Sequence, residues 1–159
     1  MIAKLYEASQ AGVKIKLIIR GICSLIPQRK GWSENIEAIS ILDRFLEHAR
    51  VFIFHNNGDE KIYMSSADWM VRNLSYRIEA TFPIYDENLK KEVKEFIDIQ
   101  LNDNTKARIL NEDQSNPYHK LDSDISIRSQ VETYYHIKRK IDRTTVVNPD
   151  AFPNTTNTV

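Results

Sequence analysis

The chain has 159 residues, of which 42% are hydrophobic and 28% are charged. This length and composition are typical of one soluble domain that can bury a core. Its 22 Lys and Arg residues balance 22 Asp and Glu residues, which excludes a global field that attracts nucleic acid or an anionic membrane, so an anion site must be local.

The first 42 residues predict a helix, a strand, a long loop and a second strand. Apolar residues fall in helical phase from Ile2 onward, without a capping preamble, so we expect a piece of a longer protein. Gly12 stands where a left-handed helix cap is expected. Residues 13–19 alternate as a strand does and end at Arg20. The segment 23–35 has neither period and predicts a loop, after which AISIL resumes a strand.

A β-hairpin is predicted next, from two short apolar runs around the sequence HNNGDE. The runs are 51–54 and 61–64, and Asn57-Gly58 between them is a strong hairpin signal. If Phe54 pairs with Lys61, then Arg50 lies beside Ser65 and His48 beside Ala67.

Ser65 and Asp68 have the spacing of a capping box, which predicts a short helix at this point. The hairpin would then bring His48 to a helix N-terminus.

The second half predicts a strand over 77–83, a helix after the cap Asp86, a short strand within 105–110 and a last helix over 122–141. The apolar face of the first of these helices is Leu89, Val93, Phe96, Ile97 and Leu101, and that of the second is Ile127, Val131, Tyr134 and Ile141. The tail from Thr144 is rich in Thr, Asn and Pro and predicts disorder. We therefore expect one α/β domain over 1–143 and a disordered tail over 144–159.

The chemistry that these residues allow is phosphate binding. An imidazole at a helix N-terminus can act as an acid, a base or a cationic anion ligand, and the free N–H groups there favour phosphate. Arg20 and Arg77 stand where α/β sheets place ligand-binding groups, and a guanidinium meets phosphate oxygens two at a time. The candidate site is therefore His48, Arg20 and Arg77, with Arg50, Ser65 and Ser66 as secondary candidates and no metal ligand.

Structural alternatives exist for each of these side chains and their neighbours. His48 could be a hydrogen-bonded structural residue, and Arg50 could pair with Glu47 or Asp43. Surface positions are expected for the other three histidines, His55, His119 and His136, and for Arg72 and Asn73, whereas Trp32 would anchor the long loop and Trp69 would pack in the core.

Three segments together resemble the C-terminal domain of bacterial polyphosphate kinase. They are LYEASQAGVKIKLIIRGICSLIP, AISILDRFLEHARVFIF and KIYMSSADWMVRNLSYRIEATFPI, and the resemblance extends from Leu5 to Lys140. It implies a phospholipase D-like fold, a mixed sheet flanked by helices, and a role as the second of two similar domains that share one site. The implied activity is transfer of the terminal phosphate of ATP to inorganic polyphosphate.

The resemblance also implies roles for individual residues. Arg20 in IIRGICSLIP, His48 in FLEHAR and Arg77 in SYRIEA match family positions that contact nucleotide phosphates. The histidine that becomes phosphorylated and the ligands of Mg²⁺ would lie in the preceding domain, so this fragment alone is expected to be inactive. The implied partners are ATP or ADP, polyphosphate, the preceding domains and further copies of the full-length enzyme, without nucleic acid.

One departure from the superfamily pattern bears on the alternatives. The pattern is H-x-K, whereas this chain has Arg50 two residues after His48, which argues against phosphodiester hydrolysis of the phospholipase D type. The other alternative is a non-catalytic module that binds polyphosphate or assembles the enzyme.

A single cysteine, Cys23, and the absence of a long apolar run favour a cytoplasmic protein, with membrane association of the full-length enzyme left open.

Overall fold

The computed structural model describes residues 1–120 and 124–147, with side chains described as far as residue 143. Three helices and six strands make up this part of the chain, in the order α1 (Ile2–Gln10), β1 (Ile15–Ile19), β2 (Ile36–Ile41), β3 (Val51–Phe54), β4 (Lys61–Ser65), β5 (Thr81–Ile84), α2 (Glu87–Leu101), β6 (Ala107–Leu110) and α3 (Ser129–Val147). The predicted α/β class is confirmed.

A mixed sheet with the order β1-β2-β6 forms one half of the fold. β1 and β2 are parallel, with Ile15 opposite Ile36, and β6 joins β2 antiparallel. A parallel pair needs a crossover of a dozen or more residues, and the predicted long loop between Ile19 and Ile36 supplies it. Ile39, Ile41 and Ala107 are buried between this sheet and Leu101 of α2. The largest apolar cluster therefore packs α2 against the mixed sheet.

An antiparallel sheet with the order β3-β4-β5 forms the other half. Phe54 pairs with Lys61 as predicted, and the N–H of Ser65 donates to the carbonyl of Arg50 at 2.9 Å, which confirms the predicted hairpin register. Three successive residues of the turn, Asn56, Asn57 and Gly58, have φ of 45°, 53° and 91°. Asn and Gly tolerate this left-handed region best, which explains why they stand here.

Several predicted bounds are wrong. β5 begins at Thr81 rather than Arg77, and α3 begins at Ser129 and extends to Val147. The helix therefore includes residues 144–147, which the sequence assigned to the tail, and the rest of that tail lies outside the described residues. Leu89 of α2 and Val131, Tyr134 and Ile141 of α3, predicted to face inward, are 43–61% exposed. Among the described residues, the apolar face of α3 is only partly covered.

No helix in the described ranges is long and apolar enough to cross a bilayer.

The predicted cap of α2 is confirmed, and it allows a stability test. The Asp86 carboxylate accepts the N–H of Leu89 at 2.9 Å. Asp86→Ala is expected to lower the free energy of unfolding by about 1 kcal/mol, because that N–H loses its acceptor. Urea unfolding followed by circular dichroism measures the change. Asp98→Ala, within the same helix, is the control, and equal destabilisation by both variants would contradict a capping role.

Candidate functional site

Strand ends from both sheets bring two arginines to one carboxylate. Arg20 directly follows β1, Arg50 directly precedes β3, and Asp68 lies three residues after β4. Arg50 binds Asp68 side-on, through Nε to Oδ1 at 3.0 Å and through Nη2 to Oδ2 at 3.3 Å. Arg20 Nη2 lies 3.2 and 3.3 Å from the same two oxygens. We call Arg20, Arg50 and Asp68 the arginine cluster.

The arginine cluster is half-buried, so its charges act through less water than at an open surface. Side-chain exposure is 30% for Arg20, 21% for Arg50 and 22% for Asp68. The hydrogen bonds from Arg50, with the nearby charge of Arg20, outweigh burial and hold the pKa of Asp68 below its ordinary value of 3.8. Conversely, the hydrogen bond to Asp68 raises the pKa of Arg50. At neutral pH the cluster is two guanidiniums around one carboxylate, with net charge +1.

His48 is joined to the arginine cluster through its backbone. Its carbonyl accepts Arg50 Nη1 at 3.1 Å, and the neighbouring carbonyl of Glu47 accepts Arg20 Nη1 at 2.7 Å. The imidazole itself is exposed and makes no hydrogen bond within the described residues. Arg50 therefore fixes the backbone of His48 while leaving the imidazole available to a ligand.

The segment 42–50, which carries His48, is held by the start of α3. Gln130 accepts the N–H of Phe45 at 2.9 Å and donates Nε2 to the carbonyl of Phe45 at 2.7 Å. Arg128 binds Asp43 side-on at 2.6 and 2.7 Å, and the Asp43 side chain is only 4% exposed. The Arg128 hydrogen bonds lower the pKa of Asp43. These contacts fix the loop without using the imidazole.

A second carboxylate, Glu79, lies next to the arginine cluster. It accepts Ser66 Oγ and, at 2.7 Å, Asn73 Nδ2, and Ser66 Oγ in turn accepts the N–H of Ala80. The Ser66 and Asn73 hydrogen bonds lower the pKa of Glu79, and the charges of Arg77 and Arg50 lower it further. Arg77 itself is exposed and makes no hydrogen bond in the described part of the chain. Glu79 therefore interacts with both Arg77 and Arg50 through charge alone.

The predicted capping box is wrong. Ser65 ends β4, and its Oγ accepts the N–H of Ala67 at 3.0 Å and bonds the hydroxyl of Thr81 at 2.8 Å. Asp68 points to the arginines instead of back to Ser65, and the nearest helical turn is the five-residue segment Arg72–Tyr76. His48 consequently does not meet a helix N-terminus. The positive charge near the backbone of His48 comes from Arg20 and Arg50 rather than from a helix dipole.

Other structural expectations also need correction. Arg50 pairs with Asp68, not with Glu47 or Asp43. Asn73 is 3% exposed rather than on a wet face, and Trp69 is 37% exposed, stacked on Phe52 at 4.9 Å, rather than in the core.

Of the other three histidines, only His55 has the surface position that the sequence predicted for all of them. His55 is exposed as expected. His119 and His136 are half-buried; His119 Nδ1 lies 2.8 Å from the carbonyl of Asp103, and His136 Nε2 lies 3.2 Å from Glu95.

Sequence reasoning missed the two carboxylates, Asp68 and Glu79, that hold the site. Asp68 is 18 positions from Arg50 and 48 positions from Arg20. No local sequence pattern predicts hydrogen-bond partners at such separations. The described residues hold no group of three or more His, Cys, Asp or Glu side chains arranged for a metal ion. The arrangement is suited to an anion with several oxygens, because Arg20 keeps an Nε–H without an acceptor among the described residues and the exposed His48 imidazole makes no hydrogen bond there.

Comparison with protein families gives a match over residues 1–130 to the model described as polyphosphate kinase C-terminal domain 2. The chain is 46% identical over 157 residues to the polyphosphate kinase of Vibrio vulnificus strain YJ016 and 49% identical over 138 residues to that of Escherichia coli K12. These alignments cover 99% and 87% of the chain, but only 22% and 20% of the relatives. The chain thus spans about a fifth of their length.

A solved structure agrees with the sequence comparisons. The crystal structure of polyphosphate kinase from Porphyromonas gingivalis is similar to this chain with a TM-score of 0.85 and 42% sequence identity. The match covers 89% of this chain and 22% of that one.

Proposed function

The chain belongs to the family of polyphosphate kinase C-terminal domains, and from this premise we propose that it is part of an ATP:polyphosphate phosphotransferase. The observation that carries the proposal is the convergence of Arg20 and Arg50 on Asp68 at the backbone of His48, whose exposed imidazole makes no hydrogen bond within the described residues. Family membership supplies the substrate class, and the site supplies groups that suit it.

In the proposed reaction the terminal phosphoryl group leaves ATP for polyphosphate. The bond between the γ-phosphorus and the bridging oxygen breaks, ADP departs with the electron pair, and the phosphorus gains a bond to the acceptor. The acceptor is first a histidine of another domain and finally the terminal oxygen of the polymer, so one ATP lengthens one chain by one phosphate. Catalysis of this kind is mainly positioning and electrostatic stabilisation.

Each of the three predicted residues takes a part in that stabilisation. Arg20 has an Nε–H without an acceptor in the described ranges, and it would donate to a phosphate oxygen while Asp68 and Glu47 hold its other nitrogens. Arg77, exposed beside Glu79, would neutralise a further oxygen. His48 would lie across the phosphoryl group from the phosphorylated histidine, as proton donor or charge stabiliser.

The remaining components are assigned outside this chain. The phosphorylated histidine and the ligands of Mg²⁺ would belong to the preceding domain, and Mg²⁺ would neutralise phosphate charge there. We therefore propose that the isolated chain makes no polyphosphate, and that the working enzyme is a cytoplasmic homo-oligomer. ATP or ADP and polyphosphate are its proposed small-molecule partners.

A non-catalytic assembly module is the second candidate, and exposed apolar side chains favour it. Leu42, Phe45 and Leu46, just before His48, are 66–76% exposed. Large apolar side chains grouped on a surface indicate an interface. This surface is compatible with either function, because a shared site also needs contact between domains.

Arg20→Ala in a full-length polyphosphate kinase that contains this domain separates the two candidates. We expect turnover to fall roughly 10²- to 10³-fold, because one preorganised phosphate donor is lost. Steady-state ADP release and polymer synthesis measure turnover, and sedimentation measures assembly. The matched control is Arg29→Ala, a more exposed arginine of the same loop that pairs with Glu112.

Lost turnover with intact assembly would support the catalytic site. Lost assembly, or turnover equal to that of the Arg29→Ala control, would contradict it.

A further inference from the structure

The Asp68 carboxylate makes more hydrogen bonds to arginine than a simple surface ion pair does. Its two oxygens receive three donor nitrogens, Nε and Nη2 of Arg50 and Nη2 of Arg20. Side-on binding through Nε and Nη fixes the plane of a guanidinium as well as its distance. The carboxylate therefore sets the orientation of Arg50 directly, and with the Glu47 carbonyl it sets that of Arg20.

The charges make the carboxylate necessary for this geometry. Arg20 Nη2 and Arg50 Nε both lie within 3.2 Å of Asp68 Oδ1, so two half-buried cations share one anion. Like charges this close repel strongly where water is scarce. Without the carboxylate the guanidiniums would separate, and Arg50 would also release the His48 carbonyl that its Nη1 now binds.

We propose that Asp68 is a positioning residue for phosphoryl transfer, whose carboxylate holds Arg20 and Arg50 in register with His48. The inference rests on the proposed function, because it assigns Asp68 a role through Arg20 rather than through contact with substrate. It also gives Arg50 a part: the guanidinium links Asp68 to the backbone of His48.

The proposal predicts an unusual pattern for Asp68→Asn in the full-length enzyme. kcat falls roughly 10- to 100-fold, because a small misplacement of a phosphate donor slows transfer. KM for ATP stays the same or decreases, because the site keeps both guanidiniums and loses a negative charge. A carboxylate that only supported folding would lower the amount of active enzyme and leave kcat per folded molecule unchanged.

A double-mutant cycle with Arg20→Ala tests whether Asp68 acts through Arg20. In the Arg20→Ala background, Asp68→Asn should cost less than about threefold in kcat, since the group it positions is gone. The matched control is Glu95→Gln, which removes a half-buried carboxylate that Lys140 and His136 contact between α2 and α3. It should leave kcat and KM unchanged.

Should Asp68→Asn fail to fold, Asp68→Glu keeps the charge and displaces the carboxylate, and it should lower kcat in the folded enzyme. Equal fold losses in both backgrounds, or wild-type kcat in Asp68→Asn, would overturn the positioning role while leaving the function of Arg20 intact. Wild-type turnover of Arg20→Ala alone would instead overturn the proposed function.

Discussion

His48→Ala is expected to reduce polyphosphate synthesis by about 10²- to 10³-fold in kcat, or about 3 to 4 kcal/mol of transition-state stabilisation. The imidazole is exposed, makes no hydrogen bond within the described residues and is attached to a backbone that Arg50 fixes. Its removal should therefore subtract a reacting group without disturbing the fold.

The control for this variant is His55→Ala, seven residues along the chain and exposed in the hairpin turn. Rate measurement at saturating ATP, with thermal unfolding of both variants, separates chemistry from stability. Near-normal turnover of His48→Ala would remove His48 from the mechanism. A large loss in His55→Ala as well would indicate that the assay reports hairpin damage.

Asp103→Ala is expected to lower the free energy of unfolding by about 3 kcal/mol. The Asp103 side chain is fully buried; its Oδ1 accepts the N–H groups of Thr105, Lys106 and Ala107, and its Oδ2 accepts that of Ser129. The carboxylate thus joins the end of α2, the start of β6 and the start of α3. Alanine leaves these donors without an acceptor, at about 1–3 kcal/mol for each buried group that water cannot reach.

The same carboxylate contributes a pH dependence with a defined sign. Burial would raise the pKa of Asp103, but the backbone N–H donors outweigh it and the pKa lies below its ordinary value of 3.8. A group with a lowered pKa stabilises the fold above its unfolded value, and this contribution disappears as the pH falls through the folded value. Stability should therefore decrease below about pH 4 in the wild type.

Urea unfolding from pH 7 to pH 3 checks both expectations for Asp103. Asp103→Asn should flatten the acid limb, and Asp98→Asn, which changes an exposed carboxylate of α2, is the control. An unchanged midpoint for Asp103→Ala at pH 7 would contradict the structural role.

The hairpin could be predicted because its signals are local. Two short apolar runs and the Asn57-Gly58 pair between them indicate the hairpin, and the observed pairing of Phe54 with Lys61 agrees with the register assumed from them. The same register placed Arg50 beside Ser65 correctly. Short-range periodicity and turn chemistry were sufficient here.

The arginine cluster could not be predicted in the same way, because its partners are distant in sequence. Ser65 and Asp68 fit a capping box by spacing alone, yet Asp68 turns toward Arg20, 48 positions away. The burial of His136 likewise depends on the packing of α2 against α3. Residue chemistry and predicted strand ends indicated His48, Arg20 and Arg77 as candidates, and the family resemblance supported the same three.

The anchoring of segment 42–50 by α3 has a consequence for the order in which the site forms. Arg128 and Gln130 contact Asp43 and Phe45 across 85 positions of sequence. During synthesis the loop that carries His48 therefore emerges long before the residues that fasten it. The site can be completed only once Arg128 and Gln130 have been synthesised, and a shortened chain that ends before Arg128 would keep every candidate phosphate ligand while losing the contacts that fasten segment 42–50.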